Sequence, residues 1–222
     1  MLYMYIIVVG LGGIGRNLAA IAAENGDSVV VIDRDEERCA DMLEEYDLLA
    51  ITGNATDKAI LEDAGIDHSD ALVATTSDDA ANLMTCWLAK RYSVPNVVSI
   101  VNQKEHSELF NEVGVRISEN PDEIVARSLY TWAENPNTQA LASIPGGGIF
   151  EITVEEGSEG VDKEIRQLEV KDYVFIAIHR AGDLLIPRGD IVILPEDTIT
   201  VFSKKDSEVE SLRYLSQQFR KK

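Results

Sequence analysis

The stretch Tyr5-Ile6-Ile7-Val8-Val9-Gly10-Leu11-Gly12-Gly13-Ile14-Gly15-Arg16 decides how the rest of the chain is read. An apolar, strand-forming run leads into Gly-x-Gly-x-x-Gly and then into the opening of a helix. A buried strand that turns on glycines into a helix presents backbone N–H groups at the helix N-terminus, where a phosphate is held by hydrogen bonds and the helix dipole. Gly10 permits the tight turn, Gly12 lets the backbone approach a pyrophosphate, and Gly15 lets the helix pack against the strand. The motif alone recurs by chance, so the units that follow must carry the argument.

Those units alternate strictly. A helix is expected from Ile14 to Glu24 with Ile14, Leu18 and Ile21 on one face, stopped by Gly26 and Asp27. Ser28–Ile32 is a β-branched run, hence a buried parallel strand, and Asp33 closes it. Asp33 stands at the distance from the glycines where an acid accepts a ribose 2′-hydroxyl and repels a 2′-phosphate; its other reading is an N-cap for the helix beginning near Glu36. Arg34 follows, to lie along an adenine face or to serve as a surface charge. A second helix over Glu36–Tyr46 turns Cys39, Met42 and Leu43 inward. After the strand Leu48–Thr52, the turn Gly53-Asn54-Ala55-Thr56-Asp57 offers small and amide groups to an adenine ring, or is a glycine turn capped by Thr56. A helix over Asp57–Ala64 and a strand over Ala71–Thr75 follow. Thr75, Thr76 and Ser77 form the next loop, and Thr76 with Asp79 has the spacing of a capping box for a helix reaching Tyr92. Asn96–Val101, a helix near Ser107–Glu112 and a short strand Val115–Ser118 complete the series.

Repeated βα units with short connections specify an α/β fold: a doubly wound, Rossmann-like parallel sheet whose ligand crevice lies at the strand C-termini. The loops carrying Gly10–Gly15, Asp33, Gly53–Thr56 and Thr75–Asp79 all end there.

From Asn120 the pattern changes. Pro121–Trp132 reads as a helix with an apolar stripe of Ile124, Val125, Leu129 and Trp132. Thr138–Ile144 reads as a second short helix, and Pro145-Gly146-Gly147-Gly148 as a hinge. Strands at Phe150–Val154, Val174–Arg180, Leu184–Pro187 and Thr198–Ser203, a short helix at Lys163–Leu168 and a closing helix at Asp206–Phe219 describe a small α+β domain. The expected division is 1–136 for the first domain, with a crossover helix from about 121, then 137–148 for helix and hinge, and 149–222 for the second domain.

The net charge of −19 over 222 residues argues against nucleic acid and anionic membrane surfaces as partners. No run of ~20 apolar residues is present, so no membrane insertion is expected. Cys39 and Cys86 sit at apolar helical positions as buried thiols, and no Cys/His spacing has the form of a zinc site.

These motifs, in this order, resemble the regulator of potassium conductance family, the RCK or KTN type found in TrkA and KtrA proteins. The resemblance is carried by Gly10-x-Gly12-x-x-Gly15, Asp33, Gly53-Asn54-Ala55-Thr56, Thr75-Thr76-Ser77-Asp78-Asp79-x-x-Asn82 and Ile117-Ser118-Glu119-Asn120-Pro121. In the C-terminal part it rests on Pro187–Asp190 and on Pro195 through Phe202, which is similar to a TrkA-C domain. It implies a cytoplasmic, non-enzymatic regulatory subunit that gates a Trk- or Ktr-type potassium uptake transporter. The subunit would be a homodimer assembling into a ring and would sit at the inner face of the membrane through a potassium-translocating membrane subunit. A potassium channel or a cation/proton antiporter is the alternative partner. The resemblance implies nucleotide in the first cleft, held by Gly10, Gly12, Gly13, Ile14, Gly15, Asp33, Arg34, Gly53, Asn54, Ala55, Thr75, Thr76 and Ser77. Glu119 matches a position where some relatives bind a cation; a helix-capping carboxylate is its other reading.

Two departures bear on the ligand. Gly13-Ile14 places no basic residue between the second and third glycines, and Val98-Ser99-Ile100-Val101 places none in the fifth strand. Both weaken the case for a triphosphate, so NAD(H) or a diphosphate is favoured over ATP, with ADP and ATP still open. An NAD-dependent oxidoreductase would use the same cleft but needs a proton donor or acceptor near the nicotinamide. No Tyr-x-x-x-Lys pair supplies one, and no histidine ends a core strand.

Overall fold

Ile7, Val8 and Val9 of β1 (Tyr5–Val9) are all buried, so this strand has an apolar face on either side and must lie inside a sheet covered twice. The computed structural model describes residues 3–144, 146–168 and 172–221, with the side chains of Ser118, Glu119, Arg127 and Ser143 outside that description. Two compact units divide the chain, Met1–Glu123 and Ile124–Lys222.

In the first unit β1 is followed by α1 (Gly13–Glu24), β2 (Ser28–Asp33), α2 (Glu36–Glu45), β3 (Leu49–Thr52), α3 (Lys58–Asp63), β4 (Ala71–Ala74), α4 (Asp79–Arg91), β5 (Asn96–Val101), α5 (Ser107–Glu112) and β6 (Arg116–Glu119). All six strands are parallel, in the order β3-β2-β1-β4-β5-β6. This is a doubly wound sheet whose strand order reverses between β1 and β4. On one face Val8 and Val31 pack with Ala19, Ala22, Cys39 and Met42 of α1 and α2. On the other, Ile7, Val9 and Leu72 pack with Leu61, Cys86 and Phe110 of α3, α4 and α5. Burial pushes the Cys86 thiol up to about 12, which keeps it a small protonated hydrophobe.

Expectations for α2 and α4 are corrected. On α1 the buried residues are Gly15, Ala19 and Ala22, with Leu18 packed partly buried beside them, while Ile14 and Ile21 are 40% and 60% exposed. The helix lies so close to β1 that only small residues fit beneath it. In α2, Cys39 and Met42 are buried, but Leu43 is exposed. The cap of α4 is Asp78, which accepts from the N–H groups of Ala80 and Ala81, so Thr76 and Asp79 form no capping box.

The second unit takes in most of α6 (Pro121–Glu134), then β7 (Thr138–Ile144), β8 (Gly147–Thr153), β9 (Tyr173–Arg180), β10 (Asp183–Leu185), β11 (Thr198–Lys204) and α7 (Glu208–Phe219). Its five strands are antiparallel, in the order β10-β9-β11-β8-β7. Leu212, Leu215 and Phe219 of α7 are buried in this unit's core with Phe150, Ile152, Ile178, Ile199 and Val201. Side chains of this size each stabilise by ~1.5–3 kcal/mol on full burial. Ala181 and Gly182, both at positive φ, make the two-residue turn between β9 and β10.

Thr138–Ile144 is a strand, not the expected helix. It pairs with β8 from Thr138↔Ile152 to Ile144↔Gly147, with a bulge between Ala140 and Ala142. The helix preference of a short Ala/Leu segment is a few tenths of a kcal/mol per residue, which sheet pairing readily overrides. The expected hinge is likewise part of the sheet: Gly147 and Gly148 are the first residues of β8, bonded between β7 and β11. Pro145 lies outside the described residues. Among the described residues no helix is long and apolar enough to cross a membrane.

Candidate functional site

A cleft of about 600 Å³ runs along the C-terminal ends of the first unit's strands. Its walls come from both sides of the point where the strand order reverses. On the β1–β3 side they are the glycine turn, Asp33, Arg34, Arg38 and the loop Gly53–Thr56. On the β4–β6 side they include Thr75–Asp78, Thr85, Asn102 and Asp122.

The glycine turn is shaped by two close approaches. Gly10 has φ +91°, and a Cβ there would come within 2.9 Å of Thr76 Cγ2. A Cβ on Gly15 would lie 1.8 Å from the Gly10 carbonyl oxygen and 2.4 Å from Thr75 Oγ1. Gly12 is different: its backbone is at φ −68°, open to any residue, and its Cβ would meet nothing within 4 Å. It is the N-cap of α1 and offers no side chain, so the first N–H groups of the helix border the cleft without a capping partner.

Asp33 closes the turn from the next strand. Its Oδ2 accepts the Leu11 N–H at 2.5 Å and its Oδ1 accepts the Asp35 N–H at 2.9 Å. The N-cap of α2 is Asp35, not Asp33. Arg34 donates from Nη2 to Asn54 Oδ1 at 2.9 Å, which links the loops after β2 and β3 across the cleft rim.

On the other side Thr75 Oγ1 donates to the carbonyls of Val9 and Gly10, holding β4 against the turn. Thr76 donates to Asn82 Oδ1, and Asn82 Nδ2 returns a bond to the Thr76 carbonyl. Asp79 is buried and turned to the loop after β5. It accepts from the N–H groups of Asn102 and Gln103, from Asn102 Nδ2, and lies 2.9 Å from His106 Nδ1. Burial alone would raise its carboxyl, but these partners outweigh burial and hold it below the usual carboxylate range.

The structure therefore brings together Gly10, Gly12, Gly13, Ile14, Asp33, Arg34, Gly53, Asn54, Ala55, Thr75, Thr76 and Ser77 around one cleft. Gly15 is not in its wall; it lies beneath, where its lack of a side chain seats the helix. Arg16 is held by Asp41 and Glu45 of α2. Glu119 ends β6, with its side chain outside the described residues. Among the described residues no group of three or more His, Cys, Asp or Glu side chains is disposed to hold a metal. Arg38, Asn102 and Asp122 were not anticipated from the sequence. Asn102 follows its strand's end as the other loop residues do, so position alone would have found it. Arg38 and Asp122 sit in the first turns of α2 and α6, and nothing local marks them.

The sequence matches the TrkA-N domain over residues 6–121 and the TrkA-C domain over residues 149–213. A Trk system potassium uptake protein TrkA homolog of Methanothermobacter thermautotrophicus is 33% identical over 95% of this chain and 98% of its own length. One from Pyrococcus abyssi is 32% identical over 92% of this chain and 94% of its own. Among solved structures the GsuK channel superposes with a TM-score of 0.65 at 18% identity, over 98% of this chain and 40% of the channel chain; its NAD-bound form gives 0.61 at 17%, over 100% and 41%. With both domains matched in order and relatives aligned over nearly their whole length, the chain belongs to the TrkA family.

Proposed function

We propose that this protein is a nucleotide-sensing regulatory subunit of a Trk-type potassium uptake transporter and that its cleft holds a dinucleotide, NAD(H). The observation that carries the ligand reading is the lining of the cleft by loops from both sides of the strand reversal. In a doubly wound sheet each half accommodates one nucleotide, so a mononucleotide engages one side and a dinucleotide both. The open space over Gly12 and Gly13 supports the fit, because a Cβ there would fill a cradle that phosphates need.

In this reading the N–H groups at the start of α1 hold the pyrophosphate. Asp33 keeps acceptor capacity for a ribose hydroxyl beyond its two backbone bonds, since each carboxylate oxygen has two lone pairs. Arg34 and Asn54 border the adenine. NAD(H) would supply no chemistry here; it would act by favouring one shape of the assembly over another, and a ligand with equal affinity for both would switch nothing. The names of the relatives support a potassium-translocating membrane subunit as partner, and hence a cytoplasmic position at the inner face of the membrane. Ile124, Val125, Leu129 and Trp132 of α6 are exposed, which supports the reading that the protein assembles as dimers in a ring.

Calorimetry with NAD+, NADH, ADP and ATP tests the ligand. Gly12→Val should abolish binding without unfolding the chain. Binding that survives the substitution, or no binding by the native protein, would refute the cleft assignment. Steady turnover of NADH with a small carbonyl compound would favour the oxidoreductase instead.

A further inference from the structure

The two halves of the cleft differ in their charged side chains. On the β1–β3 side the arginines Arg34 and Arg38 stand with Asp33, Arg38 paired with Asp35. On the β4–β6 side the charged groups are the carboxylates Asp78 and Asp122, among the hydroxyls of Thr75, Thr76, Ser77 and Thr85. Asp78 spends Oδ1 on the N–H groups of Ala80 and Ala81. Asp122, in the first turn of α6, is exposed, and its carboxylate has no hydrogen bond or ion pair among the described residues.

Asn102 is made an acceptor by its neighbours. Asp79 Oδ1 lies 2.7 Å from Asn102 Nδ2, and a carboxylate accepts only from the NH₂ end of an amide. The same nitrogen also donates to the Thr76 carbonyl at 3.2 Å, so both its hydrogens are used. What Asn102 has left for the cleft is its carbonyl oxygen. The buried Asp79 thus acts as a positioning residue that fixes which end of Asn102 a ligand meets.

We propose, resting on the dinucleotide reading above, that Asp122 with Asp78 and Asn102 makes the second half of the cleft selective for an electropositive nucleoside, so that the protein binds NAD+ in preference to NADH. The glycine turn and Asp33 assign the adenosine to the β1–β3 side, which leaves the nicotinamide nucleoside on the β4–β6 side. The two ligands differ there by one positive charge on the ring. Two carboxylates and an amide oxygen stabilise that charge and give the neutral reduced ring nothing comparable. The same groups repel a terminal phosphate. The protein's net charge of −19 acts in the same direction, favouring the less anionic ligand. Asp122 is also, among the described residues, the one lining residue drawn from α6, the helix that leads in sequence into the second unit.

The test is calorimetry with NAD+, NADH and ADP-ribose on the native protein and on Asp122→Asn. The native protein should prefer NAD+ by about fivefold, the scale of one charge pair ~7 Å apart in a half-wet cleft. The preference should shrink in high salt and fall below about twofold in Asp122→Asn. Equal affinities in the native protein, or a preference unchanged by Asp122→Asn, would overturn the inference. ADP-ribose, which lacks the nicotinamide ring, separates the two levels. If it binds and the dinucleotides do not differ, only the charge selection fails. If none of the three binds, the dinucleotide reading fails with it.

Discussion

The Asp33 carboxylate at the end of β2 accepts the backbone N–H of Leu11, inside the glycine turn that follows β1, at 2.5 Å. One acidic residue therefore braces the turn, and its second oxygen orders the start of α2 through the Asp35 N–H. The group proposed to accept from a ribose is also the group that shapes the cradle beside it.

Asp33→Ala should therefore do two things. NAD(H) affinity should fall by more than about tenfold, and the first unit should lose about 1–3 kcal/mol, because two backbone donors lose a charged acceptor. Asp33→Asn, which keeps one acceptor oxygen, should lose less stability. Calorimetry and urea unfolding read the two effects separately, and undiminished affinity in the alanine variant would contradict the ribose role.

The glycines separate fold from ligand. Gly15→Ala puts a methyl group 1.8 Å from the Gly10 carbonyl, a clash between backbone segments that cannot be relieved by a side-chain rotation. It should cost about 1–3 kcal/mol or more. Gly12→Ala, with nothing within 4 Å of the new carbon, should cost no more than about 1 kcal/mol, the loss of a favoured N-cap residue. Denaturant midpoints of the two variants decide this directly.

Asp79 predicts an acid limb. Its folded carboxyl titrates below the ordinary carboxylate range, so folding is favoured by the charged form. That contribution is complete above about pH 4 and is lost as the pH falls through the folded value. Asp79→Asn should lower stability at neutral pH by about 1–3 kcal/mol and flatten the fall in stability below about pH 4. A parallel pair of pH–stability curves would exclude the role.

In the second unit Asp197 is fully buried and is held by Arg180 through two bonds of 2.7 Å, and by the Leu194 N–H at 2.9 Å. Arg180→Ala strands the carboxylate and should cost about 3–5 kcal/mol. Arg180→Lys should recover only part, because an ammonium cannot make the paired contact of a guanidinium. Adding Asp197→Asn to Arg180→Ala should restore stability, measured by denaturant unfolding.

Much of this molecule follows from short-range pattern. The βα alternation, the glycine turn and the acid at Asp33 need only the buried-strand signature and the spacing of a turn, and these specify the parallel sheet and one half of the cleft. In the Ala181-Gly182 turn the glycine takes positive φ freely, whereas Ala181 is held at φ +49° by the pairing of β9 with β10. Four features needed the assembled fold. Ile14 and Ile21 are the larger apolar residues of α1 yet are exposed, while Gly15, Ala19 and Ala22 face inward with Leu18 at the margin, because the helix axis sits too near β1 for larger groups. Thr138–Ile144 has helical composition but becomes a strand because β8 offers it a ladder of hydrogen bonds. Asp79 has the spacing of a cap yet turns to Asn102 and His106, groups far along the chain that meet it only when β4 and β5 pair. Arg38 and Asp122 reach the cleft only because α2 and α6 begin beside it. Local propensities of a few tenths of a kcal/mol per residue set elements and turns, whereas inward faces and opposing charges depend on contacts between distant segments, whose larger energies exist only once the sheet has formed.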